Sequence, residues 1–418
     1  MSLTFPFPLP TTGAFSYCQC ISSSDHYQLL ADADVRRAQL RDVLKRAKRK
    51  NIQDMLEVVK AIEDYIPFAF TIKEGIESGD LSLDHEIVTS WRPPLVGSHL
   101  HMVENQRISA PTISYEVSMT LLTYSLSLLS LAEEAYLVGN SEDKWKQSTA
   151  YLLSAQSILI YLSTHPLLID PAPPLDLQPS TLTPLVNMIA GALHLLVLYK
   201  SLPTPDSTAK PPSASLMSRI SIFALEKFSA ALTLLPQSLK NDALERWIQD
   251  AKSYCSALAE RYMAVERESK GDVGAAIALC MAGRAELKSG SGSSILKKPS
   301  RLSIPKRSSS STTSSESSQS SSSSASDSGL KTAMKRLRQD LESLETDFRV
   351  QNDRLSFQKI PDTKEVKRNW PSGREVVASK GEWTPPASLV DWEGTGEHHE
   401  SAPGMRRGVS YSGQGQYY

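Results

Sequence analysis

DLQPSTLTPLVNMIAGALHLLVLYKSL, residues 176 to 202, is the stretch that decides how the rest of the chain is read. It opens like a helix: Ser180 or Thr181 can accept from the orphan backbone donors of a first turn, and Pro184 is tolerated that early. Leu185, Ile189, Ala192, Leu193, Leu196 and Tyr199 then recur at helical spacing. The segment is apolar almost all round, as a helix deep inside an all-α core is. The apolar run from Leu185 to Leu198 is interrupted by Asn187 and His194. It is also shorter than the ~20 residues a membrane span requires.

Working outward, the same period continues. Ile52, Met55, Leu56, Val59, Ile62 and Ile66 follow Asn51, a good cap, and Leu244, Trp247, Ile248, Ala251, Cys255, Leu258 and Tyr262 form a second stripe. No run alternates convincingly with period two, so a sheet-dominated fold is not expected. The Pro-, Ser- and Thr-rich first thirty residues read as extended segments, with room for a small N-terminal β-hairpin. Residues 289 to 329 are dominated by serine and hold almost no large apolar side chains, too few to offset the entropy of ordering. Leu330, Met334, Leu337, Leu341, Leu344 and Phe348 then restore a helical stripe. The serine segment is therefore expected to be a disordered insertion within one domain spanning residues 1–370. Residues 371–418, rich in Gly, Pro and Ser, read as a disordered tail whose removal beyond Gly381 would cost little stability.

Composition narrows the function classes. The 418 residues carry a formal net charge of −1, so no global field favours nucleic acid or an anionic membrane. Lys45, Arg46, Lys48, Arg49 and Lys50 are a local exception, read as the solvated end of a helix in preference to a headgroup or nucleic-acid contact. Cys18, Cys20, Cys255 and Cys280 are too few and too poorly spaced for structural zinc, and a reducing compartment fits them. MSLTFPFPLP lacks the build of a signal peptide. There is no P-loop, GxSxG, HExxH or CxxC pair, and Glu266 and Glu268 fall on opposite sides of a helix. His194, among leucines, reads as a satisfied core histidine. The expectation is a non-enzymatic cytoplasmic protein without cofactor or metal.

The pattern DLxPxxLxxLxxxMxAxAxxxxxxKxL at residues 176–202 resembles a central helix of the BRO1-domain family, scaffolds associated with the ESCRT machinery. Four further stretches are similar to family segments in the same order: ISYEVSMTLLTYSLSLLSLAEEAY (113–136), KWKQSTAYLLSAQSILIYL (144–162), RYMAVERESKGDVGAAIALCMAGRAEL (261–287) and NDRLSFQKIPD (352–362). The resemblance implies an elongated all-α domain with a TPR-like solenoid core, although no strict 34-residue consensus is present. It also implies a partner: the amphipathic C-terminal helix of the filament-forming ESCRT-III subunit, laid in a surface groove. Carried onto this chain, the implied contact residues are Leu195, Leu198, Tyr199 and Leu202, then Leu216 and Ile220. Leu355 and Phe357 belong to the closing segment, and Arg374 to the PSGRE run at 371–375. Ser356 stands where the family has an exposed tyrosine.

Longer adaptors of the family continue into a coiled-coil domain and a Pro-rich tail, whereas this chain stops a few dozen residues after the closing motif. The resemblance therefore favours the short fungal members of ambient-pH signalling. These couple a membrane receptor and arrestin complex, and indirectly a calpain-like protease, to ESCRT-III, leading to proteolytic activation of a transcription factor. Recruitment to the cell cortex or endosomes with at most peripheral membrane association, and no nucleic acid, would follow. A general endosomal-sorting adaptor and a TPR-like scaffold for another peptide are the competing readings.

Overall fold

The computed structural model describes residues 3–49, 54–95, 107–138, 142–167, 173–201, 212–239, 242–289, 323–368 and 370–392. The helices are α1 (Tyr27–Lys48), α2 (Met55–Ser78), α3 (Ile113–Val138), α4 (Glu142–Thr164), α5 (Pro179–Lys200), α6 (Ala214–Leu234), α7 (Asp242–Ser269), α8 (Val273–Ser289), α9 (Ser323–Gln351) and the short α10 (Thr363–Lys367). From α1 to α9 each helix packs on the next in sequence. This is the geometry of a helical solenoid, in which a continuous core forms between neighbours.

Local chemistry sets the helix ends. Asp54, not Asn51, caps α2, its carboxylate accepting from the Leu56 amide at 2.8 Å. The α5 helix starts two or three residues earlier than its serine or threonine implies: Gln178 is the N-cap, Pro179 takes the first helical position, and no side chain caps the end. Proline suits that position because the amide hydrogen it lacks would have no helical partner there. The helix reaches 22 residues, and by length and composition it could cross a membrane. Its apolar surface is instead covered by α4 and α6, with Leu185, Met188, Ile189, Leu193, Leu196 and Leu198 all buried. The anticipated stripe on α7 is also buried, from Leu244 to Tyr262.

The expected N-terminal hairpin takes another form. Strand β1 (Thr11–Thr12) pairs with β4 (Thr89–Arg92), which also pairs with β5 (Ile108–Ala110); β2 (Ile21–Ser22) pairs with β3 (Ser82–Leu83), all antiparallel. The early segments are too short to form a stable ribbon alone, and they add to strands that follow α2.

Beneath this small sheet lies a buried charge pair. Arg37 of α1 and Glu116 of α3, both essentially inaccessible, form a two-pronged ion pair with N–O distances of 2.9 and 3.2 Å. The remaining guanidinium donors reach the Gly13 carbonyl (3.0 Å) and the Thr12 hydroxyl (2.7 Å). Glu116 in turn accepts from the Trp91 indole at 2.7 Å and the Tyr65 hydroxyl at 3.1 Å, and Tyr65 contacts the Tyr17 hydroxyl at 2.6 Å. The network thus ties α1, α2, α3, β1 and β4 to one point.

Across residues 290–322, most of the serine segment, no structure is described. On its far side α9 packs on α7 and α8, with Arg261 paired to Asp340 and Arg284 to Glu342 and Glu345. Chain before and after the segment therefore belongs to one body.

Residues 371–392 do not form the loose tail that their composition implies. The Trp383 amide donates to the Ser157 carbonyl (3.1 Å) and the Leu389 amide to the Thr71 hydroxyl (2.9 Å). The Trp383 ring lies 5.7 Å from that of Phe70 and 5.3 Å from that of Tyr161. Trp392 is buried, 4.9 Å from the His26 ring, and covers Gly75 of α2 so closely that a Cβ there would lie 2.6 Å from the indole. A mid-helix glycine costs about 1 kcal/mol relative to alanine; here it opens the seat for a tryptophan. The remainder of the expected tail, 393–418, lies outside the described residues.

Two stability outcomes follow. Glu116→Ala strands a buried guanidinium, so equilibrium urea unfolding should show a loss of about 3–5 kcal/mol. Ending the chain at Gly381 removes both tryptophans. With a Trp→Ala change in a core costing ~3–5 kcal/mol, the melting temperature should fall by roughly 5 °C or more. An unchanged melting curve would return this segment to the status of a tail.

Candidate functional site

The extended segment Trp370–Val377 crosses the α5–α6 hairpin and completes a surface there. Its path is fixed by backbone: the Arg374 amide donates to the Arg219 carbonyl at 2.9 Å, and the Arg219 guanidinium donates to the Ser372 carbonyl at 3.1 Å. Gly373 is required between them. A Cβ at this position would fall 2.8 Å from the Phe223 backbone and equally close to the Glu226 carboxylate.

The next anchor is His194 of α5, 1% exposed. Its Nε2 accepts the Val376 amide at 3.1 Å, so Nδ1 carries the proton and donates to the Ala190 carbonyl at 2.8 Å. Burial lowers its pKa below the usual histidine value; Lys227 pushes the same way, while the Ala190 bond and Glu375 oppose. The His194 ring stacks at a tilt against Phe223, 4.4 Å between centroids, and the Lys227 ammonium lies 5.1 Å from the Phe223 ring centre. The resulting surface presents exposed Arg374 and Val376 beside half-buried Arg219, Phe223 and Lys227, with half-buried Leu216 one turn earlier on α6. It combines apolar patches with cationic heads, a suitable chemistry for the apolar face and acidic margin of an amphipathic helix.

The anticipated contact residues divide sharply. Leu195, Leu198, Tyr199 and Ile220 are buried at 1, 0, 8 and 2% exposure and cannot serve as surface anchors. Those on α5 lie in a helix covered on both flanks, and Ile220 sits on the core side of α6. Leu202 lies outside the described residues. Leu216 and Arg374 remain accessible and are brought to the same helix. His194 is the satisfied core histidine the sequence implies, with both ring nitrogens bonded, but its tie to the 371–377 segment was not legible; Phe223 and Val376 were missed, and the available signal was a glycine beside arginine in the PSGRE run.

Leu355 and Phe357 stand on a separate feature. A π-helical turn, Asn352–Ser356, ends α9, and Phe357 follows with φ 48°, an unusual conformation for a bulky side chain. Buried Asn352 holds the turn by accepting from the Gln358 amide (2.9 Å) and donating to the Gln358 carbonyl (3.0 Å). The Gln358 side chain fastens the turn to Gly271, between α7 and α8, and to Gly274 in the first turn of α8. Leu355 and Phe357 are left 77% and 78% exposed, displayed on a rigid support.

A stacked helical body closed by a segment laid across its central hairpin defines a class of protein–protein interaction domain. A BRO1-like domain model matches residues 39–377, and the chain belongs to that family. Its curated relatives include the pH-response regulator protein palC of Yarrowia lipolytica, 29% identical with all of both chains covered. That of Emericella nidulans is 26% identical over 98% of this chain and 95% of its own. Similar solved structures include a Bro1 domain studied for endosomal targeting (16% identity, TM-score 0.61, 91% of this chain and 94% of that one). Another is the ALIX BRO1–CHMP4C complex (14% identity, TM-score 0.62, 93% and 98%).

Holding the segment requires a neutral His194, because a protonated imidazole would direct a second N–H at the Val376 amide. Since the folded pKa is depressed, its stabilising effect is complete above the ordinary histidine value of about 6.5. It is lost as pH falls, when the unfolded chain takes up a proton that the fold resists. Wild type should therefore lose more stability than His194→Gln on acidification from neutrality, measured by paired denaturant titrations. Parallel pH profiles would remove His194 from this role.

Proposed function

We propose that this chain is a non-enzymatic adaptor of ambient-pH signalling that binds the C-terminal amphipathic helix of the ESCRT-III filament subunit. The observation that carries the reading is the surface of Arg374, Val376, Phe223 and Leu216, assembled by docking a family-matched segment on the α5–α6 hairpin. Membership of the BRO1 family supports it, as do relatives named pH-response regulators and a fold shared with the BRO1 domain of the CHMP4C complex. In this reading the adaptor brings ESCRT-III to a membrane pH-sensor complex containing a receptor and an arrestin-like component. A calpain-like protease is engaged indirectly, and its action activates a transcription factor. The protein would act in the cytoplasm and be recruited to the cortex or to endosomes.

A general endosomal-sorting role is the second reading, favoured by the likeness to a Bro1 domain studied for endosomal targeting. The two separate in cells. Loss of the chain should abolish activation of the pH-responsive transcription factor while leaving sorting of membrane cargo intact; the opposite pattern supports general sorting.

Binding is tested by calorimetry with a synthetic C-terminal helix of the ESCRT-III subunit. Helix-in-groove contacts concentrate their energy in a few anchors, so Val376→Asp or Leu216→Asp should cost at least ~2 kcal/mol, about thirtyfold in affinity. Leu355→Asp and Phe357→Asp report on the second patch. Circular dichroism melts must first match wild type. Absence of binding by wild type overturns the partner; wild-type affinity in every folded variant overturns the surface.

A further inference from the structure

At the opposite end of the chain, the basic run after Leu44 meets residues that are remote in sequence. A cavity of about 290 Å³ is lined by Thr11, Lys45, Lys48, Arg49, Arg92 and Arg107. This is near the lower edge of the range for small-ligand sites, ~300–1,000 Å³. Three of its cations end α1, one ends β4 and one directly precedes β5. No carboxylate is among the described lining residues.

We propose that this pocket binds a compact polyphosphate anion, of the kind carried by inositol phosphates, whether free or as the headgroup of a membrane lipid. Lys45, Lys48 and Arg49 alone would need no ligand, since cations complement the carbonyl end of a helix. The helix end does not account for Arg92 and Arg107, which the small sheet brings to the same cavity as two further cations.

Arg107 is held for a purpose other than pairing with acid. Its Nη1 donates to the carbonyls of Thr11 and Ser90, both at 3.2 Å, which fixes the guanidinium plane at the cavity wall. Burial lowers its pKa, and the neighbouring charges of Arg92 and Arg41 lower it further. A positioned guanidinium in a positive field suits an anion that presents several oxygens, because the planar fork matches phosphate geometry. The field is local: the whole chain is near neutral, so the cluster is not a by-product of a basic composition. Nucleic acid fits less well. Its sites are extended basic grooves with aromatic platforms for the bases, whereas the described lining is compact and contains no aromatic ring.

The test uses the full chain. Calorimetry with inositol 1,4,5-trisphosphate is run beside flotation on phosphatidylcholine vesicles with and without a few mole per cent phosphatidylinositol 4,5-bisphosphate. Inorganic phosphate and a single-stranded RNA serve as comparison ligands. Saturable trisphosphate binding without flotation identifies a free inositol phosphate, whereas flotation that requires the phosphoinositide identifies the lipid headgroup. Lys48→Glu with Arg49→Glu, both exposed at a helix end, should weaken either signal at least tenfold and leave affinity for the ESCRT-III helix unchanged. Arg107→Gln should weaken it several-fold in a protein whose melting curve is checked. Failure to bind either phosphoinositide probe, binding of RNA alone, or unaltered binding by both variants overturns the proposal.

Discussion

The Arg37–Glu116 pair is the point to which five elements of the fold are tied. Removing two charges from water is costly, and the attraction between them compensates only when the other donors and acceptors are also satisfied. Here each demand recruits a different part of the chain. Thr12 and Gly13 fix β1, Trp91 fixes β4, and Tyr65 fixes α2. The pair therefore does what apolar packing alone does poorly: it specifies one arrangement of short strands that have little pairing energy of their own. The basic cavity is a direct consequence. Thr11 and Arg92 are the immediate neighbours of Thr12 and Trp91, and they oppose each other in the β1–β4 register. The network that locks the sheet thus also positions part of the cavity lining.

From α3 onward the constraint is different. The solenoid grows by covering the apolar face of each helix with the next, and α5, apolar on nearly every side, can only sit between two partners. That fixes the α5–α6 hairpin as a rigid floor. The closing chain then runs back over it: Val376 is pinned by His194, Arg374 by Arg219, and farther on Trp383 and Trp392 are seated on α4 and α2. The proposed surface is consequently composite, half helix and half extended chain, joined by a few polar bonds and glycine-sized gaps.

This division explains what the sequence made legible. Helical period follows from burying one face, so the α7 stripe and the repeats around α2 and α9 could be read directly. Family-like words in the right order supplied the architecture that period alone does not. The contacts that failed were those in which a residue's environment comes from distant chain. Leu195, Leu198 and Tyr199 were matched as contact residues, yet a helix flanked on both sides has no outward apolar face. Residues 371–392 look unstructured because they are rich in Pro, Ser and Gly and show no helical period, but two tryptophans are enough to seat an extended segment when glycine clears the place for one of them. The cations at the end of α1 looked like a solvated helix terminus because Arg92 and Arg107 are more than forty residues away.

The polar ties of the docked segment bear on how such a surface could be regulated. The Arg374 and Trp383 amides donate to main-chain carbonyls and the Leu389 amide to a threonine hydroxyl, none of which titrates near neutrality. The His194–Val376 bond differs, because its acceptor is a nitrogen that loses its lone pair on protonation. Burial disfavours that protonation, and Lys227 adds to the bias, so the segment is held most firmly when the surroundings are neutral or alkaline. Hydrogen bonding to the Ala190 carbonyl, and after it Glu375 next to Val376, pull in the other direction. The bond thus links the placement of Val376, an exposed apolar anchor, to a proton equilibrium. Protonation of His194 would therefore weaken the hold on Val376 first, while the ties to main-chain carbonyls at Arg374 and Trp383 would persist.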